Sequence, residues 1–334
     1  MSTPKITVFM AAYNESNHIK RSIESILDQT FTDFELIVLN DGSTDDTVSI
    51  VKTFKDERIV LAHNEGNKGL VFTRNRLLEL AKGEYIAILD SDDIAYKDRL
   101  KLLYDFLKNQ PDVALCGGHA NIIDENSTKT GQRLNVPVDN DVDLFMLFGN
   151  PFVNSTTMFK REVFNDLNGY RDYAPAEDFD LFSRISENHK IANIDHVLVE
   201  YRIHSNNTSF LNSEILFQQE QRILRNLLNK IGIEANSDLL SIHMELFKGS
   251  FNAAHLNRYL AFFNELKLAN KKSNRYDQSR LEKYLFKKWL EILMSPNVNM
   301  LNLKWYFRKE VFSLTNFNFK RFRKALKRSL KNIF

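Results

Sequence analysis

Up to about residue 100 the chain alternates short apolar runs with stretches whose apolar positions recur at helical spacing. Residues 5–12, 34–39, 59–62 and 85–89 are the apolar runs, bounded by glycine or by charge, and they read as strands. Between them, 17–29, 48–54 and 70–81 read as helices; Ile19, Ile23, Ile26 and Leu27 share one face of the first. Ser43 or Thr44 is the expected N-cap of the second, and Asp93 that of the helix after the fourth strand. Strand–helix alternation of this kind predicts a parallel sheet with right-handed crossovers.

After residue 101 the pattern loosens. An amphipathic helix is predicted from Glu177-Asp178 onward, and a strand over 197–202. Beyond Phe210 the chain reads as helices, at 215–231, 239–248, 256–268, 278–294 and 300–312, punctuated by Asn and Ser clusters. In the last stretch Phe319, Phe322, Leu326, Leu330 and Ile333 fall on one helical face and cations on the other. The expected organisation is a catalytic domain over 1–210, split near residue 100 into a nucleotide-binding and an acceptor-binding half. A helical region over 211–316 and a basic amphipathic tail over 317–334 follow.

An apolar content of 43% and a charged content of 26% suit a soluble globular chain of 334 residues. Cys116 is the single cysteine, so no intrachain disulfide forms. No run is long enough to span a bilayer and no signal-peptide pattern opens the chain, which leads to the expectation of a cytoplasmic protein. The net charge of +2 hides an asymmetry. Residues 301–334 hold ten Lys/Arg and one Glu, a net of +9, leaving −7 for the rest.

The run over 85–89 ends in Asp90-Ser91-Asp92-Asp93. In open α/β sheets ligands bind beyond the carboxyl ends of the strands. Three acids together favour a cation among them, and Mg²⁺ or Mn²⁺ commonly bridges one or two carboxylates to substrate phosphates. A solvated acidic loop capping a helix explains the same residues. Two further strand ends deliver Tyr13-Asn14-Glu15 and Asn40-Asp41-Gly42 to the same edge. A dinucleotide-binding Gly-x-Gly-x-x-Gly and a Walker A loop are both absent.

Taken in order, the segments resemble family 2 inverting glycosyltransferases with the A-type fold, a Rossmann-like, mostly parallel sheet flanked by helices. They are Val8–Glu15, Ser25–Thr30, Asn40–Asp45, Arg74-Asn75, Gly83–Ile86, Asp90-Ser91-Asp92, Ala176–Leu181 and Tyr201–His204. The segment 148–158 further resembles bacterial transferases that build lipooligosaccharide and capsule glycans.

The resemblance implies roles. Asp41 pairs with the nucleobase; its carboxylate accepts the N3–H of uracil, which favours a UDP-sugar over a CMP-sugar. Ala11 and Tyr13 frame the base, Glu15 reaches base or ribose, and Arg74 steadies Asp41 or the diphosphate. Asp90 and Ser91 belong to the nucleotide site. Asp92 holds Mn²⁺ or Mg²⁺, and His204 closes over the diphosphate or metal. Asp178 is the general base, because an inverting transfer needs one carboxylate to take the acceptor's hydroxyl proton. Asn154 to Thr157, the Gly169-Tyr170-Arg171 turn and Glu177 are candidates for the acceptor and sugar pocket, with Phe145, Phe148 and Phe152 as stacking rings or as core.

The implied activity is transfer of an N-acetylhexosamine or hexose from a UDP-sugar to a glycan or glycolipid acceptor in surface polysaccharide synthesis. A sugar-nucleotidyltransferase would want a Gly-rich basic loop after strand one. A sugar-nucleotide-binding scaffold would want Asp92 or Asp178 missing. The basic tail fits an interfacial helix on anionic lipid, placing the protein at the inner face of the cytoplasmic membrane; a solvated helix docked on the body is the alternative. No nucleic-acid motif accompanies it. Homo-oligomerisation is left open.

Overall fold

The computed structural model describes residues 3–205 and 207–331. The chain forms two compact units, Met1–Asp143 with Asn150–Glu220, and Leu144–Gly149 with Gln221–Phe334.

The first unit is built on one sheet of nine strands among the described residues. They are β1 (Ile6–Ala12), β2 (Phe34–Asn40), β3 (Ile59–His63), β4 (Tyr85–Ile88), β5 (Ile94–Ala95), β6 (Val113–Ile123), β7 (Lys129–Leu134), β8 (Met158–Lys160) and β9 (Lys190–Arg202). Their order is β3-β2-β1-β4-β8-β6-β9-β5, with β7 on β6. The β1–β2, β2–β3 and β1–β4 pairs are parallel, whereas β8 runs antiparallel to both β4 and β6. Helices α1 (Ile19–Leu27), α2 (Thr47–Thr53), α3 (Leu70–Leu80) and α4 (Arg99–Asn109) join the early strands. The predicted apolar face of α1 is the observed one: Ile19, Ile23 and Ile26 are fully buried with Val8, Met10, Leu36 and Val38. The chain winds outward from β1 to β2 and β3, then crosses back to β4 on the other flank of β1. That reversal opens a crevice at the carboxyl ends of β1 and β4, where α/β sheets bind ligands.

Several local expectations change. Neither Ser43 nor Thr44 caps α2. Its first turn is held by Asp45, whose Oδ1 accepts from the Thr47 N–H at 3.0 Å. Ser43 and Thr44 are engaged by the neighbouring strand-end loop instead: Asn14 N–H donates to Ser43 Oγ, and Thr44 N–H donates to Asn14 Oδ1. Asp93 caps no helix either. It is fully buried, and its Oδ1 accepts the Arg202 N–H at 2.8 Å, locking the acidic loop to the end of β9. The helix predicted over 300–312 shrinks to Leu303–Tyr306, and the Trp305 carbonyl in it accepts the Trp289 indole N–H.

In the second unit, helices Ser237–Lys248, Leu256–Ser273 and Gln278–Met294 bury Tyr259, Phe263 and Trp289. Phe148 lies among Phe263 and Tyr284 in that core, and Phe152 packs on Phe182 in the first unit, so both rings serve packing. The last helix described is Phe319–Lys331; Ile333 of the predicted apolar face lies outside the described residues. Among the described residues no helix is long and apolar enough to cross a membrane.

Candidate active site

The strand ends of the first unit carry the site. Asp41 follows β2 and is buried. Its Oδ1 accepts from the Lys68 N–H at 2.9 Å and from Asn64 Nδ2 at 2.7 Å; its Oδ2 accepts from the Gly69 N–H at 2.9 Å. One carboxylate thus shapes the whole turn between β3 and α3. Gly42 permits this: its φ is +77°, and a Cβ there would stand 2.5 Å from the Gly66 carbonyl carbon. Ala11, near the end of β1, pairs with Leu39, and Tyr13 just beyond is exposed.

Arg74, on α3, does not reach Asp41. It is buried between two carboxylates: it donates to Glu177 Oε1 through a short contact, and its Nη2 stands 3.4 Å from Asp90 Oδ1. Burial alone would lower its proton affinity, but Glu177 and Asp90 hold it above the ordinary range. The Tyr170 ring lies 5.6 Å from the guanidinium. Asp90 also accepts from Asn154 Nδ2 at 3.0 and 3.1 Å and from Ser155 Oγ at 3.1 Å. Asn154, read as an acceptor or sugar residue, is therefore brought to the first acid of the Asp-x-Asp motif.

Asp178 opens the helix Glu177–Asn188 beside this array. Its Oδ1 accepts the Phe179 N–H at 2.7 Å. Burial, and then the Glu177 carboxylate, push its pKa up from 3.8 to about 7, against the pull of Arg74. Asp180, two residues on, is neutralised by Arg171 and Arg184, so it stiffens the helix start. Arg171 is thereby committed to Asp180 and stacks on Tyr173.

On the other side of the acidic loop, Asp92 Oδ2 lies 3.1 Å from His204 Nε2, and Asn207 Nδ2 donates to the same oxygen at 3.3 Å. The hydrogen bond to Asp92 raises the His204 pKa. Glu15 joins this end of the site: burial, and then the Asp92 charge, push its pKa up to about 7. Its backbone N–H donates to Thr47 Oγ1, which fixes the loop. Arg202, fully buried, holds the acidic loop from behind through the Asp92 carbonyl. Ser91 is buried, and its carbonyl accepts Ser22 Oγ from α1.

Among the described residues no group of three or more His, Cys, Asp or Glu side chains encloses an ion. Asp92 and His204 offer one oxygen and one nitrogen. That donor set fits a Mn²⁺ or Mg²⁺ ion that takes its remaining ligands from substrate phosphates and water.

Sequence reasoning missed Asn64 and Asn207; Ser155 and Tyr170 fall in the segments read as acceptor and sugar candidates, and the structure sets Ser155 on Asp90 and Tyr170 beside Arg74. Asn207 lies three residues after His204, where its Oδ1 accepts the His204 N–H at 2.6 Å; a polar cap in that turn was the only local signal. Asn64, just past β3, reaches Asp41 across 23 positions, which no local pattern announces.

Residues 7–167 match the family model described as Glycosyl transferase family 2. The chain is 34% identical over 247 residues to an uncharacterized glycosyltransferase of Haemophilus influenzae, covering 69% of this chain and 76% of that protein. It is 29% identical to the Escherichia coli UDP-Glc:alpha-D-GlcNAc-diphosphoundecaprenol beta-1,3-glucosyltransferase WfaP, covering 73% of this chain and 93% of the relative. Among solved structures it resembles the mannosyltransferase PcManGT of Pyrobaculum calidifontis in complex with GDP-Man and Mn²⁺. The TM-score is 0.54 at 17% identity, covering 99% of this chain and 88% of the other. The fold is that of the A-type glycosyltransferases, a mixed α/β sheet with flanking helices and further helices at the C-terminal end.

Proposed function

The chain belongs to glycosyl transferase family 2, and from that premise we propose that it is an inverting enzyme that moves a hexose or N-acetylhexosamine from a UDP-sugar to a glycan acceptor of bacterial surface polysaccharide or lipooligosaccharide. The observation that carries this reading is the half-buried carboxyl of Asp178. Its pKa lies near 7, beside the Arg74 bridge and on the same strand-end edge as the Asp92–His204 pair.

The acceptor hydroxyl oxygen attacks the anomeric carbon as the bond to the UDP oxygen breaks. Asp178 takes the hydroxyl proton, and UDP leaves with the bonding electrons. A carboxyl near pH 7 is matched to that task, since the best general base titrates close to the working pH. Asp92 and His204 would hold a divalent ion, which when bound supplies charge stabilisation for the diphosphate. Asp41 accepts from the uracil N3–H, with Ala11 and Tyr13 framing the base. Asp90 and Ser91 serve the nucleotide side; Asn154, fixed to Asp90, faces the sugar, with Glu177 and Arg171 shaping the acceptor edge. One relative is named for a UDP-Glc donor and a diphosphoundecaprenol-linked acceptor, which supports both the uridine reading and a glycolipid acceptor here. The basic C-terminal segment then serves as a peripheral anchor on the anionic inner face of the cytoplasmic membrane.

A screen of UDP release across UDP-sugars, with and without glycan acceptors, tests the reading. Acceptor-stimulated UDP release from at least one UDP-sugar is expected. Stimulated release from GDP- or CMP-sugars alone would overturn it.

A further inference from the structure

The C-terminal helix Phe319–Lys331 is not a loose amphipathic tail. Ala325 is fully buried, the Phe322 ring packs on Tyr306, Phe307 and Phe317, and Ser329 Oγ accepts the Leu303 N–H at 2.9 Å. The expected apolar stripe is therefore divided. Its Phe322 edge docks on the second unit, while Phe319 stays 68% exposed and Leu330 49%. Leu314, on the turn before the helix, is 86% exposed. Single exposed apolar residues are ordinary; these flank a built feature. A pocket of about 300 Å³ opens between the helix Gln278–Met294 and the start of the last helix, lined by Lys283, Lys287, Arg321, Asn316 and Phe317 among others. Lys283 and Lys287 are one turn apart on their helix, and Arg321 comes from the other.

We propose that this pocket binds the headgroup phosphate of an anionic phospholipid while Leu314 and Phe319 enter the acyl boundary of the same leaflet. The inference rests on the peripheral-anchor reading above and specifies its site. Two ammonium groups and a guanidinium converging on one concavity suit a phosphate, which the guanidinium engages through paired donors. The surrounding charge agrees in sign: residues 301–334 carry +9. Apolar residues beside those cations distinguish a bilayer surface from a soluble polyanion, since an interfacial helix places apolar side chains below the headgroups and cations among them. Because the helix is already docked, binding needs no folding of a disordered tail.

The test is co-sedimentation of the full chain with vesicles of phosphatidylcholine alone or with added phosphatidylglycerol, for wild type, Lys283→Glu/Lys287→Glu and Leu314→Glu/Phe319→Glu. Wild type is expected on the phosphatidylglycerol vesicles and to come off with salt. Loss of two cations at about 1 kcal/mol each is about 30-fold in partition, so the lysine reversal should weaken binding by at least that factor. The apolar variant should keep weak, fully salt-reversible binding. No wild-type binding to either vesicle would defeat the anchor reading itself. Wild-type binding matched by the lysine variant would leave the anchor standing and overturn the pocket. Soluble dihexanoyl-phosphatidylglycerol gives a check that needs no variant. It should raise the thermal midpoint of wild type where dihexanoyl-phosphatidylcholine does not, and equal effects of the two would overturn the proposal. Capture of the full chain by single-stranded RNA in preference to the vesicles would do the same.

Discussion

Replacing Asp178 with Asn separates its chemistry from its structure. The local contact survives, because an Asn oxygen can still accept the Phe179 N–H that Asp178 Oδ1 accepts at 2.7 Å. The ability to take a proton is lost, and general-base catalysis typically contributes about 10²–10⁴-fold, so transfer should fall by that order. Stability should move the other way. Burial and Glu177 raise the folded-state pKa from 3.8 to about 7. Between those two values the folded protein holds a proton that the unfolded chain releases, so stability declines as pH rises through that window. A shift of this size corresponds to on the order of 4 kcal/mol above pH 7. Asn carries no charge, so Asp178→Asn should melt higher than wild type at pH 8 and close to it at pH 4. The assay is transfer rate, UDP affinity by calorimetry and thermal melts at both pH values. The wild-type kcat/KM should also be about tenfold lower at pH 6 than at pH 8, since the base must be ionised. Near-wild-type turnover in the variant would refute the reasoning. So would a melting point that drops equally at both pH values, which would make Asp178 a packing residue.

Arg74→Met leaves Glu177 and Asp90 facing each other without their cation and should cost about 3–5 kcal/mol, with Arg74→Met/Glu177→Gln recovering part of it; additive losses in chemical denaturation would show that the bridge is not coupled. Asp41→Asn weakens the acceptor of three N–H groups and of the base, so UDP affinity should fall by about tenfold or more; inhibition of wild type by CDP as strong as by UDP would end the uracil assignment. Asp92→Ala and EDTA treatment should lower UDP affinity to the same level, read by calorimetry with and without Mn²⁺; unchanged affinity in EDTA would remove the bridging ion.

Much of the first unit was legible because its strands are apolar runs with punctuated ends and its first helix has a clean buried face. The carboxyl-edge position of Tyr13-Asn14-Glu15, Asn40-Asp41-Gly42 and Asp90-Ser91-Asp92 followed from that alternation alone. The pairings did not. Arg74 meets Glu177 across 103 positions and His204 meets Asp92 across 112, and only the fold closes such distances. The loop that carries Glu15 is held by Ser43, Thr47 and Asp45, residues 29 to 32 positions away that no local pattern pairs with it. Asp93 was read as an N-cap, but the next helix begins only at Arg99 and the buried Arg202 N–H claims Asp93 instead. In the second unit, periodicity located the long helices but not the Trp289–Trp305 hydrogen bond, which links residues 16 apart in different elements. The stripe on the last helix was visible as a pattern; which of its edges docks depended on Tyr306 and Phe307.

The central claim is a single displacement with one base and no covalent intermediate. Its most direct test is the anomeric configuration of the product formed from the UDP-α-sugar that the donor screen identifies, read by proton NMR of the purified glycan. A β-linked product is expected. An α-linked product would mean retention, and Asp178 could not then be the lone carboxylate that drives the reaction.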